Sequence, residues 1–204
     1  MFGEMADLRS AGMGGEPPRD LYHLPAGLPV PEDDGAADQL TGAEVPSLVL
    51  DSSLGPVDLG ELCSTRAVVY VYPRTGKPGE PSPPGWDAYP GARGCTPQSC
   101  AFRDHAGELA DHGARIAGVS AQPLADQIEF ATRNHMPFPV MADPGLRLRS
   151  ALSLPTFELA GLTLYKRLAW IAEGGRIVKV FYPVFPPDRN AEDVLAWLRD
   201  RVAV

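Results

Sequence analysis

Apolar and polar positions alternate along this chain in distinct rhythms, and each rhythm predicts an element. The run AVVYVYP, residues 67–73, is β-branched or aromatic at nearly every position. An unbroken apolar run of that length suits a strand buried on both faces. Upstream, PSLVLDSSLGPVDL reads as a short strand, a turn and a second short strand. After Cys95 the period becomes helical. Phe102, Ala106 and Leu109 fall at i, i+4 and i+7 and define one buried face, with Gly113 as the stop. RIAGVSA is the next strand. Leu124, Ile128 and Ala131 then mark the inner face of a second helix ending near Asn134.

FPVMAD predicts a short strand and PGLRLRSALSL a short helix. RLAWIAEGGRIVKVFYP predicts two strands joined at a Gly-Gly turn, an antiparallel hairpin. The last helix starts near Asn190 and turns Val194, Leu195, Leu198 and Val202 inward. From residue 67 onward the order is therefore β-α-β-α-β-α-β-β-α. Strands alternating with helices imply an α/β domain with crossover connections, edged by the antiparallel hairpin.

Two regions escape these rhythms. Residues 1–40 are rich in Gly, Pro, Asp and Ala without a clear period, and are expected to form an arm, partly disordered or wrapping the domain that spans 41–204. Residues 77–90 hold a cluster of prolines and glycines that no helix or central strand tolerates. Such a long loop inside a compact domain is often functional, and equally often a surface insertion. Trp86 and Tyr89 are its candidate anchors. The 22 prolines of the chain, roughly twice the average share, concentrate in these two regions.

Composition narrows the function classes. With 204 residues the chain is long enough for one domain with a full core. Its net charge of -8 argues against nucleic-acid binding and against an anionic membrane surface. The apolar runs are too short to span a bilayer, and the N-terminal stretch lacks the pattern of a secretory signal. A cytoplasmic location follows as the expectation. There, three cysteines do not form a disulfide framework, and a close pair of them suggests catalysis or metal binding.

That pair sits in GCTPQSCAFRD. Pro97 fits the first turn of a helix, where its missing N–H costs nothing. Cys95 then lies at the helix N-terminus, where unpaired amides and the helix dipole favour thiolate over thiol and lower its pKa. Arg93 and Arg103 lie nearby in sequence. The bland alternative is a small buried side chain. Cys100 lies five residues on. In one regular helix the two Cα atoms would be roughly 8–9 Å apart, beyond the ~7 Å a disulfide allows. Bridging them requires the first turns to unwind; otherwise Cys100 is simply buried and inert. Zinc is a weaker reading of the same spacing. His105 and His112 follow, but no second cysteine pair completes a ligand set. His23 and His135 read as surface or capping residues, and Cys63 as a buried structural thiol.

From Pro46 onward the chain resembles the peroxiredoxins, most closely the Q type, also called the bacterioferritin-comigratory-protein type. VVYVYP, GCTPQSCAFRD, IAGVSAQ and PFPVMADP carry the resemblance together and in order. It implies a thioredoxin-like fold, a central mixed sheet flanked by helices, and a thiol peroxidase. It implies Cys95 as the peroxidatic cysteine and Cys100 as the resolving one, joined in a disulfide during turnover. The substrate would be a hydroperoxide, with a thioredoxin- or glutaredoxin-like reductant, no bound cofactor or metal, and a monomer or homodimer. The family also supplies an arginine from a later strand. RLAWIAE makes Arg167 the candidate, with Lys166 in its place if the preceding turn keeps the family's length. A family threonine three residues before the cysteine is replaced here by Ala92. Thr75 takes that role if residues 76–90 loop out, and Thr96 is a weaker substitute that could instead cap the helix. LSLPTF is similar to the Pro-Thr of thioredoxins, where a cis proline faces the cysteines, which makes Pro155 a candidate cis residue or a plain turn proline. A thiol-disulfide relay or redox sensor, or a non-enzymatic binding module on the same fold, are the competing functions.

Overall fold

In the computed structural model, residues 20–202 are described. The first part of the arm, residues 1–19, lies outside them, as does the side chain of Val202. Seven strands form one mixed sheet. In chain order they are β1 (Val49–Ser52), β2 (Val57–Asp58), β3 (Ala67–Val71), β4 (Arg115–Ser120), β5 (Val140–Ala142), β8 (Leu168–Glu173) and β9 (Arg176–Phe181), arranged β2-β1-β5-β4-β3-β8-β9. The central β3, β4 and β5 run parallel, while β8, β9 and β1 are antiparallel to their neighbours. Helices on both faces complete a thioredoxin-like α/β fold.

Strand β3 shows why its sequence had to be apolar throughout. Alternate side chains point to opposite faces. Val68, Tyr70 and Tyr72 enter one core with Phe102, Phe130 and Leu198, while Ala67, Val69 and Val71 enter the other with Leu59, Leu148 and Trp170. Tyr70 lies opposite Gly118 on β4. A Cβ there would come within 2.6 Å of the phenol ring, so only glycine admits this tyrosine. Tyr70 then stacks on Phe102 at 4.5 Å between centroids, docking the cysteine helix onto the sheet.

Several expectations need correction. The helix after Cys95 does not run unbroken to Gly113. It divides into α2 (Cys95–Asp104) and α3 (Ala106–Asp111). At His105 ψ swings to 9° and its N–H closes α2 on Ala101 O, with the weak helix former Gly107 just beyond. On α4 (Leu124–Arg133), Ile128 points to solvent, and Gln127 takes the core position beside Phe130 and Ala131. The hydroxyl of Tyr72 donates to Gln127 Oε1, which satisfies that buried oxygen and rotates the inner face away from the purely apolar pattern. Of the two readings of Pro155, cis residue or plain turn proline, the cis one does not hold; among the described residues the cis X-Pro bonds are at Pro183 and Pro186.

Two elements had no sequence signal strong enough to stand out. A one-turn helix, α1 (Leu59–Leu62), is capped by Asp58, whose Oδ1 accepts from the Glu61 N–H. A separate hairpin pairs β6 (Thr156–Leu159) with β7 (Leu162–Tyr165). Its turn, Ala160-Gly161, has both residues at positive φ, 51° and 77°. That is the geometry of a two-residue hairpin turn, but alanine is not a residue that announces it. The remaining helices are α5 (Arg147–Leu152) and α6 (Asn190–Val202). Val194, Leu195 and Leu198 of α6 are buried as the period predicts.

The irregular segments are fastened down. In the 77–90 loop, Lys77 Nζ pairs with Asp126 of α4 at 2.7 Å. Trp86 is buried in a short 3-10 turn, and Tyr89 stacks on Phe157 of β6 at 4.1 Å. In the arm, Ala37 and Leu40 enter the core, and the Asp34 carboxylate accepts from Lys166 Nζ and Tyr182 Oη. Those hydrogen bonds hold the Asp34 carboxyl down at about 2. Among the described residues no helix is long and apolar enough to cross a membrane.

Candidate active site

Cys95 is the first residue of α2, and only 3% of it is exposed. Its helix cap is Gly94, at φ 101°, and the side chains of Pro187 and Leu24 close over that glycine so tightly that a Cβ would lie 2.3 Å from Pro187 Cγ. A left-handed cap is what glycine adopts without strain. It turns the chain so that the sulfur points back toward the end of β3. There the backbone N–H of Arg74 donates to Cys95 Sγ at 3.4 Å. The thiol in turn reaches Ala92 O at 3.5 Å.

Arg167 approaches from the opposite side. It precedes β8, the strand paired with β3, so the register of that pair carries it to the cysteine. Its Nη2 lies 3.1 Å from Cys95 Sγ. The same nitrogen donates to the carbonyls of Gly91, Ala92 and Arg93, and Nη1 donates to Gln98 Oε1. Arg167 is 3% exposed. These acceptors are all neutral, and the Cys95 sulfur shares the guanidinium with them. Lys166 faces the other way, to Asp34. Neighbouring residues in extended chain diverge, and the two candidates separate on that ground.

Thr75 also lines the cleft over Cys95, together with Arg74, Gly94 and Thr96. It is 3% exposed. Its hydroxyl donates to Gln122 Oε1 at 3.1 Å, and its N–H donates to the same oxygen at 2.8 Å. Gln122 Nε2 returns a bond to Thr75 O at 3.2 Å. With its hydrogen committed to Gln122, the Thr75 oxygen retains lone pairs to accept a proton donor from the cleft. Ala92 contributes its carbonyl alone. Thr96 is buried within the first turn, and α2 has no side-chain cap.

Cys100 shares α2 with Cys95, so the two lie roughly 8–9 Å apart by helix geometry, too far to bridge. Both are free thiols. Cys100 is half-buried, with Sγ 3.9 Å from Asn134 Oδ1. Burial pushes its pKa above the ordinary thiol value, and Arg103 partly offsets this. Cys63 is fully buried on the other face of the sheet, and burial pushes its thiol up to about 11. Among the described residues no group of three or more His, Cys, Asp or Glu side chains gathers to hold a metal ion. His105 pairs with Glu108, exposed His23 pairs with Asp20, and His135 sits at positive φ just past the end of α4.

Sequence reasoning passed over two residues that build the site. Gln98 lies one turn after Cys95 and bridges Arg167 to Asn190, donating from Nε2 to Asn190 Oδ1 at 2.9 Å. Its spacing of three on the cysteine helix was the available signal. Gln122 carried none, because its partner lies 47 positions away.

The Redoxin family model matches residues 40–195. Peroxiredoxin Q, chloroplastic, of Sedum lineare is 28% identical over 160 residues, covering 78% of this chain and 77% of that protein. The relative of the same name in Gentiana triflora is 25% identical over 185 residues, covering 88% and 78%. Among solved structures, peroxidoxin BcpB from Mycobacterium tuberculosis superposes with a TM-score of 0.64 at 26% identity, covering 79% of this chain and 97% of that one. A cysteine at a helix start, an arginine carried to it by the neighbouring strand and a second cysteine on the same helix thus sit on a frame shared with these proteins. The chain belongs to the Redoxin family and groups within it with the Q-type peroxiredoxins, which are thiol peroxidases.

Proposed function

We propose that this thiol peroxidase reduces hydroperoxides through a sulfenic acid on Cys95 and a Cys95–Cys100 disulfide. The observation that carries the reading is the Arg167 guanidinium 3.1 Å from the Cys95 sulfur, in a buried site. The Cys95 thiolate attacks one oxygen of the peroxide. The S–O bond forms as the O–O bond breaks, and the electron pair leaves with the distal oxygen, which departs as hydroxide or alkoxide and is protonated to water or alcohol. Sulfur is oxidised and the peroxide reduced. Arg167 and the Arg74 N–H are fixed donors for the charge that develops on oxygen. Thr75 accepts the O–H of the incoming peroxide and so orients it, which is the role the missing hydroxyl at Ala92 leaves open.

In the second step α2 unwinds at its start and Cys100 attacks the sulfenic sulfur. The disulfide forms and water leaves. A dithiol protein of the thioredoxin or glutaredoxin kind then reduces the disulfide and is itself oxidised. Both cysteines lie on one chain, so the cycle runs in a monomer or in each half of a homodimer. The catalytic domain is assigned to residues 41–204, and of residues 1–40 the described part, 20–40, serves as an arm on it. A reducing compartment such as the cytoplasm supplies the dithiol, although the plant relatives are named as chloroplastic.

Treating the reduced full chain with one equivalent of hydrogen peroxide, followed by thiol counting by mass spectrometry, tests the reading. Two thiols are expected to disappear into a Cys95–Cys100 linkage while Cys63 stays free. Retention of all thiols, or a bond to Cys63, contradicts it. The pH dependence is also fixed. The attacking species is the Cys100 thiolate, and the pKa of Cys100 is raised, so at neutral pH most of it is thiol. Below that pKa the thiolate fraction grows about tenfold per pH unit. Rapid-mixing measurements are therefore expected to show disulfide formation accelerating steadily from pH 6 to 8, with a flat profile as the contrary result.

A further inference from the structure

The floor of the peroxide cleft is made by the segment that follows β3, Arg74 and Thr75, and by the start of α2, but its roof is not. The roof comes from the arm and the proline-rich loop. Leu21 lies directly over Gly76, where a Cβ would come within 2.9 Å of Leu21 Cδ2, and it lines the cleft beside Thr75 and Cys95. The arm is pinned on either side of this leucine. Arg93 Nη2 donates to Asp20 O at 2.6 Å, and Arg133 Nη1 donates to Tyr22 Oη at 3.0 Å. Arg133 Nη2 also donates to Gly76 O at 3.0 Å, so one guanidinium holds arm and loop together. Arg133 is in turn braced by Glu129 at 2.7 Å. Beyond Tyr22, Leu24 packs over the Gly94 cap.

What remains beneath is a slot of about 30 Å³. A buried water needs roughly 10–15 Å³ of such space, so a small hydroperoxide fits beside Cys95, and Leu21 at the partly open mouth stands where a bulky carbon substituent would have to pass. The arm before residue 40 also lies outside the segment that the family model matches.

We infer that Leu21 is a specificity-determining residue, closing the cleft to hydrogen peroxide and other small hydroperoxides and turning away bulky organic ones. The inference rests on the peroxidase reading above. Leu21 acts by occupying space and touches no reacting atom.

The test compares kcat/KM for hydrogen peroxide and cumene hydroperoxide in the full-length chain, in Leu21→Ala and in Leu21→Phe. The wild type is expected to favour hydrogen peroxide strongly. Leu21→Ala should raise the cumene hydroperoxide value about 10-fold, the low end of what a few methylenes contribute to discrimination in a pocket, while hydrogen peroxide changes by less than about twofold. Leu21→Phe keeps the roof bulky and should keep cumene hydroperoxide excluded, and an unchanged urea midpoint in Leu21→Ala guards against a variant that merely loosens the fold. Tyr22→Phe, which removes the hydroxyl held by Arg133, should shift selectivity in the same direction as Leu21→Ala by a smaller factor. Equal rates on both peroxides in the wild type, or a Leu21→Ala effect that is the same on both, overturns the inference and leaves the peroxidase reading standing. A wild-type chain inert to both peroxides removes the reading and the inference together.

Discussion

Cys95→Ser is expected to abolish peroxide consumption, lowering kcat/KM by at least about 10⁴-fold, as removal of a nucleophile does elsewhere. The geometry leaves no substitute. Cys63 is fully buried on the other face of the sheet, and Cys100 has its thiol held up by burial and lies roughly 8–9 Å from Cys95 along α2. A serine hydroxyl in place of the thiol keeps a bond to Ala92 O or Arg167 but does not ionise at neutral pH, so the donors around it have nothing to activate. The companion variant Cys100→Ser separates the two chemical steps. It should consume one equivalent of peroxide rapidly, stall as a sulfenic acid on Cys95 that a dimedone probe captures, and fail to turn over with a dithiol reductant. Persistent turnover of Cys95→Ser, monitored by peroxide loss with thiol counting in parallel, would remove the proposed nucleophile.

Arg167→Ala is the second large effect. Deleting a fixed donor at a developing oxyanion costs about 10²–10³ in rate, and this arginine also supplies the charge opposite the sulfur. Its loss is structural as well. Gln98 Oε1 and the carbonyls of Gly91, Ala92 and Arg93 all accept from it. Leaving a buried acceptor unpaired costs about 1–3 kcal/mol, so Arg167→Ala should also lower the urea midpoint. Arg167→Lys divides the two contributions. An ammonium keeps the charge but cannot serve Sγ, Gln98 and the row of carbonyls from one planar fork. Arg167→Lys is therefore expected to recover most of the stability and only a small part of the rate. Full recovery of rate in the lysine variant would mean that charge alone, without the fork, suffices.

The local grammar of the chain was readable where a single segment decides the outcome. The double-faced strand at residues 67–71, the Gly174-Gly175 hairpin and the buried stripe of α6 each follow from side-chain period within one window. Where a polar residue was recruited to a core, the same logic misled. Gln127 displaced Ile128 from the inner face of α4 because Tyr72, 55 positions earlier, satisfies its amide oxygen. The β6–β7 hairpin escaped notice because Ala160 takes a positive φ that the surrounding pairing enforces against its own preference. Lys166 and Arg167 differ by one position and carry the same charge. Only the antiparallel register of β8 on β3 shows which of them meets the cysteine.

By itself the sequence determined that Cys95 and Cys100 share one helix, that this helix begins at a glycine-cysteine-threonine-proline start, and that an α/β sheet carries it. Those are short-range matters of spacing, dihedral preference and the alternation of apolar side chains. Tertiary structure alone decided that Arg167, 72 positions from Cys95, lies 3.1 Å from its sulfur. It likewise decided that Thr75 reaches the cleft across the intervening proline-rich loop and that Leu21 of the arm roofs it. Contacts of that kind depend on strand register and on how distant segments pack, and no window of neighbouring residues encodes them.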